Sequence, residues 1–129
     1  MFLPVECRNE DMIDMFISLM KKKTDMFHYT DEDRYKDSFL NGDFLVWIFG
    51  TVLVVGKPYL SDTKIKGVEL DTASYKEEIA HDDFQYCLEY IEEELKANDF
   101  FELRFCGRKG WRKIYPSFKE LHVTYVKEI

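Results

Sequence analysis

The stretch Phe44-Leu-Val-Trp-Ile-Phe49, Gly50, Thr51-Val-Leu-Val-Val55 limits the choice of fold more than any other part of this chain. It is built of β-branched and aromatic side chains with two leucines, and such residues favour a pleated, packed surface. It carries no charge. The segment therefore belongs at the centre of a sheet. Gly50 divides it, and the sequence allows either two central strands or one strand bent at the glycine.

Helices flank this apolar centre. Asn9 is placed to cap a helix over about 10–23, where Met12, Phe16, Leu19 and Met20 recur at helical spacing and Ile13 and Ile17 widen the face. Acidic residues open that helix and Lys21, Lys22 and Lys23 close it, which suits the helix dipole better than a binding patch. Thr30-Asp-Glu-Asp33 resembles a capping box, and Gly42 stands where a C-terminal glycine would end a second helix over about 31–41. The strongest helical stripe is Phe84, Cys87, Leu88, Ile91 and Leu95, starting near Asp82 or Asp83 and running to about 97. Cys87 on that stripe reads as a small buried hydrophobe.

The remaining segments read as strands and turns. Residues 2–7 are short and apolar and predict a first strand. Gly56-Lys-Pro-Tyr predicts a turn, and Lys64–Leu70 a weaker strand. Residues 100–106 alternate, with Phe101, Leu103 and Phe105 on one side. A basic turn with Gly107 and Gly110, a short helix-like stretch and a closing strand follow. The order predicts a single α+β domain over 1–129: a mixed, mostly antiparallel sheet flanked by about three helices.

Charge and cysteine content narrow the function classes. The net charge is −7, and it is uneven. Residues 1–98 hold 11 Lys+Arg against 21 Asp+Glu, a net of −10; residues 99–129 hold 7 against 4, a net of +3. The acidic body argues against nucleic-acid binding. Cys7, Cys87 and Cys106 are odd in number and widely spaced, and His28, His81 and His122 are scattered, so no metal site is expected. The opening Met-Phe-Leu-Pro-Val-Glu-Cys-Arg lacks the basic-then-apolar pattern of a signal peptide. No apolar run approaches the roughly 20 residues of a membrane helix. The expectation is a cytoplasmic protein with no membrane partner. Gly-x-Ser-x-Gly, Gly-x-x-x-x-Gly-Lys-Ser/Thr, His-Glu-x-x-His and calcium-loop patterns are all absent from the sequence.

Two stretches carry a family resemblance. The entry Val5-Glu-Cys-Arg-Asn-Glu-Asp11 is similar to the first strand and helix start of the GNAT superfamily of acyl-CoA N-acyltransferases. Phe101-Glu-Leu-Arg-Phe-Cys-Gly-Arg-Lys-Gly-Trp-Arg-Lys-Ile-Tyr-Pro-Ser-Phe-Lys-Glu-Leu121, with its Thr-Tyr-Val-Lys-Glu-Ile ending, resembles the late strand, short helix and last strand of small GNAT-like proteins of tailed bacteriophages. Some of those are virion-associated. The Gly107-Arg-Lys-Gly-Trp111 stretch is the specific part.

The resemblance implies a site. A loop between the fourth strand and the long helix would offer backbone N–H groups to the pyrophosphate of acetyl-CoA. Val68, Leu70, Ser74 and Arg108 would lie along the cofactor, with Thr72 a second hydroxyl in reach of a phosphate. Tyr115 would act as general acid toward the leaving thiolate, and Glu69 as general base. Each has a plainer reading: Tyr115 as a packed aromatic, Glu69 as the solvent side of an alternating strand. The family's loop signature is Arg or Gln, two residues, Gly, one residue, then Gly or Ala. Here Asp71-Thr-Ala-Ser-Tyr-Lys-Glu-Glu-Ile-Ala-His-Asp-Asp83 holds no glycine and sets one lysine against five carboxylates. Those carboxylates would repel a polyphosphate.

Three functions fit these residues. The first is a phage-type GNAT-like domain with a degenerate cofactor loop that acts through a protein partner. The second is an active N-acetyltransferase. The third is an acidic inhibitor or immunity protein that covers a basic enzyme. The basic turn at Arg108, Lys109, Arg112 and Lys113, with Trp111, reads as a solvated turn or as a patch for a phosphate or an acidic partner.

Overall fold

The computed structural model describes residues 1–75, 81–105 and 127. A 3-10 turn at Val5–Cys7 leads into helix α1 (Glu10–Lys23), the one-turn α2 (Met26–Tyr29) and α3 (Glu32–Asn41). Strands β1 (Leu45–Phe49), β2 (Val52–Leu60) and β3 (Lys66–Ser74) follow, then α4 (His81–Ala97) and β4 (Glu102–Phe105). The strands form one sheet in the order β1-β2-β3-β4. β1 and β2, and β2 and β3, pair antiparallel, whereas β3 and β4 pair parallel. A parallel neighbour requires a crossover, and α4 is that crossover. The architecture is the α+β, mostly antiparallel one that the sequence predicts.

The apolar centre is two strands. Phe49 pairs with Val52 across Gly50-Thr51. Gly50 has φ +60°, while Thr51 is not among the positive-φ residues. A positive φ at the first loop position alone is the hairpin geometry that glycine admits without strain.

Side chains on the sheet alternate between two cores. Val46, Leu53, Val55 and Ala73 face α1 and α3, against Ile13, Phe16, Ile17 and Phe39. Trp47, Val52, Val54, Val68 and Leu70 face α4, against Phe84, Leu88, Ile91 and Leu95. The helix caps follow the sequence closely. Asn9 accepts the Met12 N–H at 3.0 Å. Asp31, rather than Thr30, caps α3 through the Arg34 N–H at 3.1 Å. Gly42 closes that helix at φ +94°.

Two expectations fail. Gly56-Lys-Pro-Tyr is not a turn but lies inside β2, whose nine residues pair with nine of β3. Gly56 is there for space: a Cβ would stand 2.8 Å from both the Trp47 ring and the Val68 side chain. Pro58 is tolerated because its missing N–H turns toward the β1 side, past Leu45↔Gly56, where β1 has not yet begun. Residues 2–7 do not form a strand either. Phe2 makes a single bridge to Trp47, and the chain then winds through Val5–Cys7. Leu3 donates to the Val46 carbonyl at 2.7 Å, and Ile48 donates to the Met1 carbonyl at 2.8 Å, so residues 1–3 cover the outer edge of β1. The predicted short helix, the closing strand and the basic turn lie outside the described residues.

Arg8 explains why the entry bends. It is 8% exposed. Its Nε donates to the Leu3 carbonyl at 3.0 Å, and its Nη1 donates to Phe39 and Phe44 carbonyls at 2.9 and 2.8 Å. Its guanidinium also lies over the Phe39 ring, 5.8 Å from the centroid. One side chain thus ties the entry segment, the end of α3 and the approach to β1 together through main-chain acceptors. Burial pushes its pKa down. A hydrogen bond from a charged donor contributes roughly 1.5–3 kcal/mol. Arg8→Ala is expected to cost about 3 kcal/mol, read as a lower urea midpoint at unchanged m-value. Arg8→Lys, which keeps the charge but loses the fork, should recover less than half of that. A midpoint unchanged in Arg8→Ala would show that the entry segment is held by other contacts.

Candidate functional site

The third strand, β3, presents different chemistry on its two faces. Val68 and Leu70 point under α4, at 0% and 3% exposure. Glu69, Asp71 and Ala73 point to the opposite face, toward α1 and α3. Ala73 packs in the core there, but the two carboxylates are held by a polar cluster. The Tyr35 hydroxyl of α3 donates to Asp71 Oδ2 at 2.7 Å. Lys57 Nζ of β2 lies 3.1 Å from the same Oδ2 and 3.5 Å from Glu69 Oε1. Register makes this possible: Lys57 is directly opposite Glu69, and Val55 opposite Asp71.

Aromatic packing fixes the Tyr35 hydroxyl. Its ring stacks on Phe16 at 6.2 Å and meets Phe27 and Phe44 edge-on at 5.1 and 5.0 Å. Asp71 is therefore a buried carboxylate, 9% exposed, with one neutral and one charged donor. Burial of the Tyr35 phenol, with Asp71 beside it, drives the pKa of Tyr35 far above its ordinary value. Burial works against the Lys57 ammonium, yet Asp71 and Glu69 outweigh it, and the Lys57 pKa is raised.

A second polar row lies beside the first on the same face. Tyr59 pairs across Gly67 with Glu102, so β2, β3 and β4 contribute in register. The Tyr59 hydroxyl donates to Glu102. Arg104 is 2.6 Å from the same carboxylate, and its guanidinium lies 4.5 Å from the Tyr59 ring centroid. Gly67 is needed here because the Tyr59 ring crosses directly over it. Partial burial and the bond to Glu102 push the Tyr59 pKa up to about 12.

Backbone direction along β3 completes the geometry. Tyr75 donates to the Thr51 carbonyl at 3.2 Å, so odd-numbered residues of β3 turn their N–H and C=O groups to β2. Even-numbered ones turn to β4, as the Phe101 N–H bond to the Lys66 carbonyl at 2.8 Å confirms. Thr72 therefore directs its backbone to the β4 side, one step beyond the Leu70↔Phe105 pair that ends the described ladder. Ser74 Oγ lies 3.2 Å from Thr51 Oγ1. Glu69 is brought to Lys57, Val68 and Leu70 are packed into the core, and Tyr115 and Arg108 lie outside the described residues. Among the described residues, no group of three or more His, Cys, Asp or Glu could hold a metal ion. None of their helices is long and apolar enough to cross a membrane.

No protein-family model matches the sequence, and no curated protein does. Solved structures match over nearly the full chain. A probable acetyltransferase superposes with TM-score 0.60 at 12% identity, over 95% of each chain. A predicted acetyltransferase with acetyl-CoA from Clostridium acetobutylicum gives TM-score 0.62 at 10% identity, over 95% of this chain and 92% of that one. An aminoglycoside acetyltransferase from an uncultured soil metagenomic sample, in complex with sisomicin, gives 0.52 at 13%, over 95% and 93%. The chain has the GNAT fold. Residues 1–3, through the Phe2 bridge and the bonds of Leu3 and Met1 to β1, are what the described entry keeps of the expected first strand.

Sequence reasoning found Glu69 but missed Tyr35, Lys57 and Asp71. The signal was present: Leu53, Val55, Lys57 and Tyr59 alternate through a segment that Gly56 and Pro58 disguise as a turn.

The cluster predicts an alkaline weakness. Tyr35 keeps its proton in the folded chain at pH values where the unfolded chain, with its ordinary value of 10.0, has lost it. The associated stability is whole below that value and is lost as pH rises from there through the folded value. One such proton corresponds to about 1.4 kcal/mol per pH unit. Urea unfolding between about pH 10 and about pH 12 should show Tyr35→Phe with an alkaline slope shallower by up to that amount. The same variant should lose about 1–3 kcal/mol at neutral pH, because buried Asp71 then lacks a donor. Parallel slopes in the two proteins would show that other groups set the alkaline limb.

Proposed function

We propose that this chain keeps the GNAT fold without acyl transfer and works through protein contacts. The observation that carries this reading is the engagement of both β3 carboxylates by Lys57, at 3.1 Å from Asp71 and 3.5 Å from Glu69. A general base must turn a free oxygen to the substrate, and Lys57 occupies oxygens of both carboxylates. The sequence between β3 and α4 supports the same conclusion. It offers a pyrophosphate no glycine, and its charge is mostly negative. The resemblance of Gly107-Arg-Lys-Gly-Trp111 to small phage proteins supports a role as a virion component or as a factor acting on a host protein, in the virion or the host cytoplasm.

A second reading is an active N-acetyltransferase using acetyl-CoA. One observation favours it: Thr72 directs its backbone groups to the β4 side just past the described β3–β4 ladder. Glu69 would then be the base and Tyr115 the acid, with Val68, Leu70, Ser74 and Arg108 along the cofactor.

Calorimetric titration with acetyl-CoA separates the two. The expected result is no heat of binding and no thermal shift at millimolar ligand. Micromolar binding would overturn the contact reading. Transfer of the acetyl group to an amine, lost in Glu69→Gln, would then establish the enzyme.

A further inference from the structure

A shallow groove runs along the outer side of α4. Its volume is about 310 Å³, and it is lined by Tyr86, Glu89, Tyr90, Glu93 and Glu94. Tyr86 is 63% exposed, unusually open for a large aromatic. Tyr90 is half-buried and fixed, its ring edge-on to Phe49 at 5.4 Å. Glu94 is fixed as well, because it accepts the Trp47 Nε1–H at 2.6 Å. The groove is therefore built on two side chains anchored to β1, with Tyr86, Glu89 and Glu93 standing at its open side.

Its chemistry is apolar walls with an acidic rim. Two phenol rings offer π faces one helical turn apart, and carboxylates stand at the same spacing beside them. The Glu94 carboxylate pushes the Tyr90 pKa up, which keeps that ring neutral. Two cations face these carboxylates: the Met1 ammonium, which is close enough to act on Glu94, and Lys96, 3.5 Å from Glu92 and 3.8 Å from Glu93, in pairs more than half exposed. Exposed pairs of this kind hold their partners weakly. Gln85 donates to Glu89 at 3.2 Å and brings no charge.

We propose that this groove docks an arginine-rich segment of a partner protein. Guanidinium groups stack on tyrosine faces and pair with carboxylates at once, and they do so better than ammonium groups. Alternate residues of an extended chain repeat at roughly 6.6–7 Å, against about 6 Å for residues four apart on α4, so two arginines at alternate positions can reach the two tyrosines and the glutamates beside them. The −10 charge of residues 1–98 draws such a segment in from a distance. The proposal names a partner chemistry for the contact role above but rests on its own geometry. Acetyl-CoA binding would retire that role and leave the groove standing.

The test uses the full chain and a fluorescein-labelled peptide of five Arg-Gly repeats, with a Glu-Gly peptide of equal length as control. Anisotropy should show saturable binding of the arginine peptide alone, weakening as salt rises from about 50 to about 300 mM. Tyr86→Ser leaves the net charge unchanged and should weaken binding at least about five-fold. Glu93→Gln should weaken it comparably, and Asp37→Asn, on α3 across the sheet, should not. A lysine-glycine peptide binding as tightly as the arginine one would overturn the stacking argument. Tyr86→Ser binding like wild type would overturn the site and reduce the attraction to general acidity. Sedimentation of the chain alone is the remaining arm: self-association abolished by Tyr86→Ser would assign the groove to a second copy and overturn the heterologous partner.

Discussion

Nine residues of β2 paired with nine of β3 form the ladder on which the rest of the structure depends. A side chain's face on a strand is set by odd or even position, so this register decides what each core and each polar cluster contains. A slip of one residue would move Val68 and Leu70 from the α4 core to the α3 side and put Glu69 and Asp71 under α4. Among the described residues that core is apolar apart from the Trp47 indole N–H, which is given to Glu94, and an unpaired buried carboxylate costs several kcal/mol. The ladder is guarded from both ends. Gly50 with its positive φ fixes where β2 begins, and Gly67 leaves room for the Tyr59 ring near its far end. Gly56 guards the middle, where Trp47 and Val68 close over a residue without a side chain.

The Tyr35–Asp71–Lys57–Glu69 cluster is better understood as a specificity device than as a source of stability. A buried ion pair returns in Coulomb attraction roughly what its desolvation takes away. What it adds is a condition on geometry. Asp71 is satisfied only if α3 delivers the Tyr35 hydroxyl and β2 delivers Lys57 to the same oxygen. That condition ties the helical layer to the sheet at one point, as Arg8 ties the entry segment to α3 and β1 at another. Both ties are polar, and both sit where an apolar contact alone would tolerate sliding.

Much of this was legible in the sequence, and the part that was not has a physical cause. The bounds of α1, the α4 stripe and the two-sided apolar centre follow from spacing and capping residues that act locally. Asp31 replaced Thr30 as a cap because the two compete one position apart, and geometry rather than residue type chose between them. Gly56 and Pro58 misled because their local preference is for turns, while their actual reasons for being there are non-local: the Trp47 ring on one side and the end of β1 on the other. The entry segment misled for the same reason. Its apolar residues read as a strand, yet Arg8 needs three carbonyls from distant parts of the chain, and the backbone winds to supply them. The candidate site shares this pattern. Glu69 was visible as a lone carboxylate on a strand; Tyr35 and Lys57 became its neighbours only through tertiary pairing.

The two acidic regions of the molecule differ in a way that bears on what the chain does. On β3 the carboxylates are matched: Lys57 spans the buried Asp71 and the partly exposed Glu69, and Tyr35 completes the set. On α4 Glu89 and Glu93 stand outward beside aromatic rings, Glu93 paired with the exposed Lys96, while Glu94 is held by the Trp47 indole. On β3 the oxygens of Asp71 and Glu69 are engaged by Lys57 and Tyr35. Outward display leaves charge and π surface available to another molecule. Negative charge is thus arranged differently on the two sides of one sheet: bridged by Lys57 and Tyr35 on β3, and displayed beside two tyrosine rings on α4.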